Sequence, residues 1–529
     1  MHIIGEQVAR RVHEILFRLQ ENELACAGVL GHAVVDLRVF ESEIAGGEGL
    51  GEGVEKQIVK LLPAFDDEEA ILSLRRQLTG HPLRDELEEN LGRALQILDG
   101  SLLTDPVNRQ FTTDPKGRGV RLQQRGDIAA YGRKLHYMFG LSNYLPTGIC
   151  GNTGEKLTVY VEADEGQPLP RAVFTQFLTK YNHWQGIQIQ LHRGVNILTV
   201  PAFTYTPSYT NPGGPLYLVN PYTPQEQNES VKVYIEGGHL YPVFYKGGSE
   251  EKFKNDLHDF LEYYEENKDT AHNVAEVMSD HMLVTAQATR AGEIYLDGGV
   301  SVQKACENWD EYMRSLLLFN GHSFEKDSLF YDPRIENLYL NVRVTQPFSA
   351  AADAYATGQH VGIRINTGWE AVALRGSGFG WGTSHEIGHI IEIGECRVLE
   401  YTNNMVSNYN ETILDGQPSR GDHAKITRLL APDRVIGTGG IGADGSYDNT
   451  YVVWWNIESV FPGYWGRYNE LFRYGVPAGY PSADGMSAIE KQVYYTSIAV
   501  GMDTGYYFDR YGNAVTKHYQ ALFQLYYYT

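Results

Sequence analysis

Two histidines four residues apart, His385 and His389 in WGTSHEIGHIIEIGECRVLEYTNNMVSNYNE (residues 381–411), constrain this chain more than any other feature. An α-helix turns once in 3.6 residues, so a helix puts both imidazoles on one face, one above the other. Two neutral imidazoles so placed are half of a tetrahedral zinc site. Glu386 is the next residue round the helix. It reaches a metal-bound water without binding the metal itself. Two incidental histidines on an ordinary helix are the plain alternative, and the flanking residues weigh against it.

Gly394 is read as the end of this helix, letting the chain turn back. EYTNNMVSNYNETIL then reads as a second helical stretch. Its Glu400 lies eleven residues after His389, room for a turn and a returning helix to bring a carboxylate to the metal. Asn404 is one turn further along and is placed to hold a ligand histidine by its other ring nitrogen, a support that metal sites usually need. Glu392 and Glu395 are rivals for the third ligand. Glu392 shares the first helix and points poorly for closing a tetrahedron, and Glu395 sits in the turn. The order of expectation is Glu400, then Glu395.

The rest of the chain sets limits. Its 529 residues exceed one ordinary core, so several domains are expected. The 66 acidic and 44 basic side chains leave a formal charge of −22, which repels phosphate backbones and anionic membranes, so no nucleic-acid partner is expected. Cys26, Cys150, Cys306 and Cys396 are far apart and form neither a zinc knuckle nor a disulfide framework. MHIIGEQVARRVHEILFRLQENE is broken by charges every few residues, so no signal-peptide core is read there. No apolar run approaches the roughly 18 residues of a membrane span.

The periodicity changes along the chain. Val8, Val12, Ile15 and Leu19, and again Leu83, Leu87, Leu91, Leu95 and Leu98, recur at helical spacing. Residues 1–110 therefore read as a helical accessory region without chemistry of its own. Leu157, Val159 and Val161 alternate with polar neighbours, and Val231, Val233 and Ile235 repeat the pattern. Residues 135–245 read as a β-sandwich-like domain. From 250 to 529 helical runs such as KFKNDLHDFLEYYEEN mix with strands such as HVGIRINT. The fold class expected is α+β and multidomain, with a zincin-type catalytic domain built around the HExxH helix.

HEIGH followed by EYTNN resembles the enhancin-like zinc metallopeptidases, whose signature is HExGH, a short spacer, then a glutamate opening a TNN-containing helix. LPTGICGNTGEKLTVYVE, PGGPLYLVNPY, VKVYIEGGHLYPVF, SDHMLVT and GYYFDRYG are similar to that family's later segments in order, so the resemblance covers about residues 135–515. It implies a gluzincin-type endopeptidase with one zinc per chain, acting on glycoproteins, mucin-like O-glycosylated ones among them. It further implies action outside the cell or on a host, by an export route the sequence does not name. Trp369, Arg375, Phe379 and Trp381 are candidates for a sugar-binding wall. The alternative for Phe379 and Trp381 is packing under the active-site helix.

The expected mechanism has zinc held by His385, His389 and Glu400, with Glu386 as general base. Tyr447 or Tyr451 is a candidate donor to the oxyanion. Two rival readings are a non-catalytic glycan- or mucin-binding protein and the peptidase component of a toxin. The intact Glu386 argues against the first.

Overall fold

The computed structural model describes residues 103–104, 118–121 and 128–510, apart from 164–165, 177–182, 207–208, 212, 220–230, 346–352, 359, 398–399 and 420–450. The helical periodicities read before residue 100, and Tyr447, lie outside the described residues.

The alternation at Leu157, Val159 and Val161 forms the strand Lys156–Glu162. Those three side chains are fully buried, each worth roughly 1.5–3 kcal/mol against exposure. On the other face Tyr160 packs on Tyr234 of strand Lys232–Glu236, ring centroids 5.6 Å apart. A five-stranded sheet results, in the order Leu103–Thr104, Arg118–Arg121, Lys232–Glu236, Lys156–Glu162, Gly194–Thr199. A second sheet, antiparallel throughout, runs His239–Leu240, Tyr144–Asn152, Gly213–Val219, Arg171–Gln176, His183–Gln190. Ile149, Phe174, Leu216 and Leu218 of the second sheet share one core with Leu157, Val159, Val161, Val233 and Ile235 of the first.

A third sheet of six strands lies against the helix bearing the two histidines. Its order is Val243–Tyr245, Ala275–Met278, Met282–Ala286, Leu340–Thr345, His360–Arg364, Ala354–Thr357. The strands Ala275–Met278, Met282–Ala286 and Leu340–Thr345 are buried at every residue. Covered on both faces, a strand needs no polar alternation. The last strand is an edge, antiparallel to its one partner and half-buried along its length. Helices Glu250–Glu266 and Val302–Phe319 flank the sheet, each started by a serine hydroxyl that accepts from a backbone N–H, Ser249 from Lys252 and Ser301 from Lys304.

The second sheet joins the third through a buried carboxylate. Glu276 accepts from Tyr217 and Tyr241 at 2.6 Å each and from Thr285 at 2.7 Å. Burial pushes its pKa above the usual carboxylate range despite those donors. One core runs unbroken from Ile128 to Val406. A second, aromatic core includes Tyr451, Trp454, Tyr464, Trp465 and Tyr468, on or beside the helices Val452–Val460 and Tyr464–Tyr474. The helix bearing the two histidines lies between the cores, with Ile387, Ile390 and Ile391 in the first and Trp381 in the second. The architecture is α+β. Among the described residues no helix is long and apolar enough to cross a membrane.

Candidate active site

The motif helix spans Gly380–Ile391. It stops three residues before Gly394, which opens a 3₁₀ turn, Gly394–Cys396, instead of capping the helix. Glu392 already has extended backbone, at φ −67° and ψ 151°. The chain then returns to lie on the helix. A Cβ at Gly388 would sit 2.5 Å from the Asn403 carbonyl oxygen, so a glycine there permits the close approach of the two segments.

The returning segment is less regular than its sequence reads. Its α-helix covers only Asn404–Tyr409 and widens into a π-helix, Asn410–Leu414. Glu400 precedes it at φ +65°, a left-handed backbone that side chains other than glycine rarely adopt and that concentrates at functional sites. Asn404 holds that turn by donating from Nδ2 to the Glu400 carbonyl at 2.7 Å. Its Oδ1 lies 2.7 Å from His385 Nδ1. That contact makes Nδ1 the protonated nitrogen and leaves Nε2 with its lone pair.

Three donor atoms converge. His385 Nε2 lies 3.0 Å from Glu400 Oε2, His389 Nε2 lies 3.4 Å from the same oxygen, and the two Nε2 atoms are 3.2 Å apart. Ligands about 2.0–2.2 Å from one ion in a tetrahedron stand roughly 3.3–3.5 Å from each other. Donor types and spacing therefore both fit a small divalent cation. Glu386 also offers a carboxylate within 4.8 Å of both imidazoles, but Glu400 lies closer to each ring. The Asn403 amide rests against both rings, its Nδ2 3.0 Å from His385 Nδ1 and 3.1 Å from His389 Nε2.

The electrostatics favour positive charge. Burial pulls the His389 pKa down, but the Glu392 and Glu400 carboxylates outweigh it and raise it to about 9. His385 is raised in the same way, burial losing to its contact with Glu400 and to the charge of Glu386. Contacts with the two imidazoles hold Glu400 well below the usual carboxylate range. Glu386 moves upward: burial outweighs the attraction of the two histidines, and the charge of Glu400 adds to the rise.

Glu386 and His385 line a cleft of about 560 Å³ together with Trp369, Val372, Thr383 and the glycine-rich run 378–382. Trp369 is half-buried, its ring lying over Gly382, where a Cβ would be 1.9 Å from it. Trp381 and Phe379 line the cleft but serve mainly as packing. Trp381 is 8% exposed and packs on Tyr451, and Phe379 stacks on Tyr312 with centroids 3.9 Å apart. Arg375 ends its helix exposed and is not among the residues that line the cleft.

The rival carboxylates fall elsewhere. Glu395 is exposed and pairs with His136 at 3.2 Å and Lys491 at 3.3 Å. Glu392 is buried on the Nδ1 side of His389, away from the three converging atoms. Tyr451 is fully buried and donates to Asn408 Oδ1 at 3.1 Å, so its hydroxyl is not directed at the cleft. Glu392, weighed from the sequence only as a third ligand, instead stands beside His389 Nδ1, and Gly388 was not singled out. A glutamate three residues past the second histidine and a glycine beside it were the available signals.

No family model matches the chain, and no curated protein does. Solved structures do. The catalytic module of the metalloprotease ZmpA from Clostridium perfringens is 25% identical over 77% of this chain and 78% of that one, with a TM-score of 0.63. The ZmpB metallopeptidase from the same organism is 25% identical over 76% and 79%, with a TM-score of 0.64. The M60 catalytic domain of its ZmpC, in complex with the sialyl T antigen, shares the fold at 22% identity over 76% and 79%, with a TM-score of 0.62. The structural neighbours of this chain are thus M60-like metallopeptidases, the enhancin-like group that its sequence resembles.

Proposed function

We propose that this chain is a zinc-dependent endopeptidase that hydrolyses peptide bonds in glycoproteins, mucin-like O-glycosylated substrates first among them. The observation that carries the proposal is the triangle of His385 Nε2, His389 Nε2 and Glu400 Oε2, with edges of 3.0, 3.2 and 3.4 Å, beside a cleft lined by Glu386. His385, His389 and Glu400 would hold the ion. When bound, zinc supplies a Lewis acid that lowers the pKa of water toward about 7 and offsets charge on the scissile carbonyl oxygen.

The chain's own groups do the rest. Glu386 accepts a proton from the attacking water and returns it to the leaving amine. Its raised pKa brings it closer to neutrality, where an acid–base group works in both directions. Asn404 keeps the His385 ring in one tautomer. Trp369 offers a half-buried aromatic face in the cleft, the kind of surface on which a sugar ring stacks. The sialyl T antigen in the ZmpC structure makes glycosylated substrates the class to test first.

The experiment is digestion of a defined O-glycopeptide, read by mass spectrometry, with wild type, wild type plus chelator, and Glu386→Gln. Wild type should cleave and chelator should stop it. The variant should retain metal and fold yet lose activity by about 10²–10⁴-fold. Equal cleavage by wild type and Glu386→Gln would place the chemistry elsewhere. Binding without cleavage by wild type would favour a glycan-binding protein.

A further inference from the structure

We infer that Glu392 is a positioning residue of the metal centre, one buried carboxylate that orients His389 and ties down the connector carrying Glu400. The inference rests on the zinc-peptidase reading and deepens it. Glu392 is 4% exposed, and an ionised carboxylate so placed needs partners. It has three, from three parts of the site. His389 Nδ1 lies 3.4 Å from Oε1. The Thr402 hydroxyl donates to Oε2 at 2.8 Å. Arg397 Nε lies 3.1 Å from Oε1, an ion-pair distance without the angle of a hydrogen bond. Arg397 and Thr402 stand on either side of Glu400, so the carboxylate grips both ends of the short stretch that presents the third donor.

The backbone under this carboxylate is itself fixed. Met138 N–H donates to the Glu392 carbonyl at 2.9 Å, Gly394 N–H donates to the His136 carbonyl at 3.0 Å, and Tyr137 forms a β-bridge with Ile393 between them. A segment some 250 residues earlier in the sequence thus anchors the residue that follows the motif helix. On His389 the consequence is chemical. A carboxylate at Nδ1 keeps the proton there, leaves the Nε2 lone pair free and makes the imidazole a stronger donor. Asn404 serves His385 in the same way, with a neutral oxygen. The two histidines therefore have unequal supports, one a carboxylate and the other a neutral amide, each tied to the Glu400 segment.

The test uses the full chain, stripped of metal, and measures zinc affinity by competition with a chromophoric chelator. Cobalt spectra and the melting temperature of the metal-free protein are recorded alongside. Glu392→Gln keeps the shape and the Thr402 contact but removes the charge. It should lower zinc affinity about 10- to 100-fold and shift the cobalt absorption bands. Glu392→Asp should recover only part of the affinity, because the shorter arm cannot span His389 and Thr402 together. Thr402→Val leaves the carboxylate in place and loosens the connector, so it should lower affinity by a smaller factor; it also keeps the inference testable if Glu392→Gln fails to fold. Wild-type zinc affinity and cobalt spectra in those of the three variants that fold would overturn the role assigned to Glu392. Failure of the wild type to bind zinc would instead overturn the peptidase reading beneath it.

Discussion

In the helix Gly380–Ile391 regular spacing alone brings His385 and His389 onto one face, whereas in the segment Glu400–Leu414 the backbone starts left-handed at Glu400, makes a short α-helix and widens into a π-helix. The first arm presents its donors by local geometry and is held by Ile387, Ile390 and Ile391 in the core. The second presents its donor through a bond of its own, Asn404 on the Glu400 carbonyl, and through contacts with the rest of the chain, Glu392 on Thr402 and Gly388 beneath Asn403. An irregular arm can place a carboxylate that no periodicity supplies, and depends on every contact that bends it.

The comparison breaks most sharply at His389. His389→Ala should abolish metal binding and reduce peptide cleavage to background, with the helix still folded because its three isoleucines are untouched. Metal analysis and circular dichroism check both halves of that expectation. Full metal retention would remove the helix arm from the site. Gly388→Ala acts where the arms touch. The new methyl would meet the Asn403 carbonyl, so the returning segment must shift, at a cost of about 1–3 kcal/mol. Zinc affinity should fall while the two imidazoles keep their spacing. A wild-type melting temperature together with wild-type affinity would mean that the second arm does not depend on this contact. Tyr451→Phe should do least. It removes a buried hydroxyl from Asn408, worth about 1 kcal/mol, and should leave kcat/KM unchanged, because that hydroxyl does not face the cleft. A large loss of kcat with normal stability would return Tyr451 to the reaction.

The same contrast explains what the sequence could reveal. The spacing of His385 and His389, the alternation at Leu157, Val159 and Val161, and the helices Glu250–Glu266 and Val302–Phe319 are all periodic, and periodicity is read directly from residues. Asn404 was legible as a partner of His385 because polar groups behind metal ligands recur; it also holds the Glu400 carbonyl. Glu392 was read as poorly aimed for a third ligand, and it does lie away from the three donor atoms, but its contact with His389 Nδ1 was not legible. Treated as helical, it points away from the site, but the helix ends at Ile391 and extended backbone turns its carboxylate to the Nδ1 side of His389. The end of a helix depends on what packs there, here the segment 136–138. The aromatic wall was half legible. Aromatic residues do line the cleft, but composition cannot separate Trp369, whose ring lies over Gly382, from Phe379 and Trp381, which pack on Tyr312 and Tyr451.

The central claim is that Glu400, and not one of its rivals, closes the donor set begun by the two histidines. Zinc content and affinity of Glu400→Gln set beside Glu395→Gln test it most directly. Wild type and Glu395→Gln should each hold about one zinc per chain with the same affinity, because Glu395 pairs at the surface with His136 and Lys491. Glu400→Gln should bind zinc far more weakly, having lost the charged oxygen that lies 3.0 Å from His385 Nε2 and 3.4 Å from His389 Nε2. Wild-type affinity in Glu400→Gln, with the loss appearing in Glu395→Gln, would contradict it.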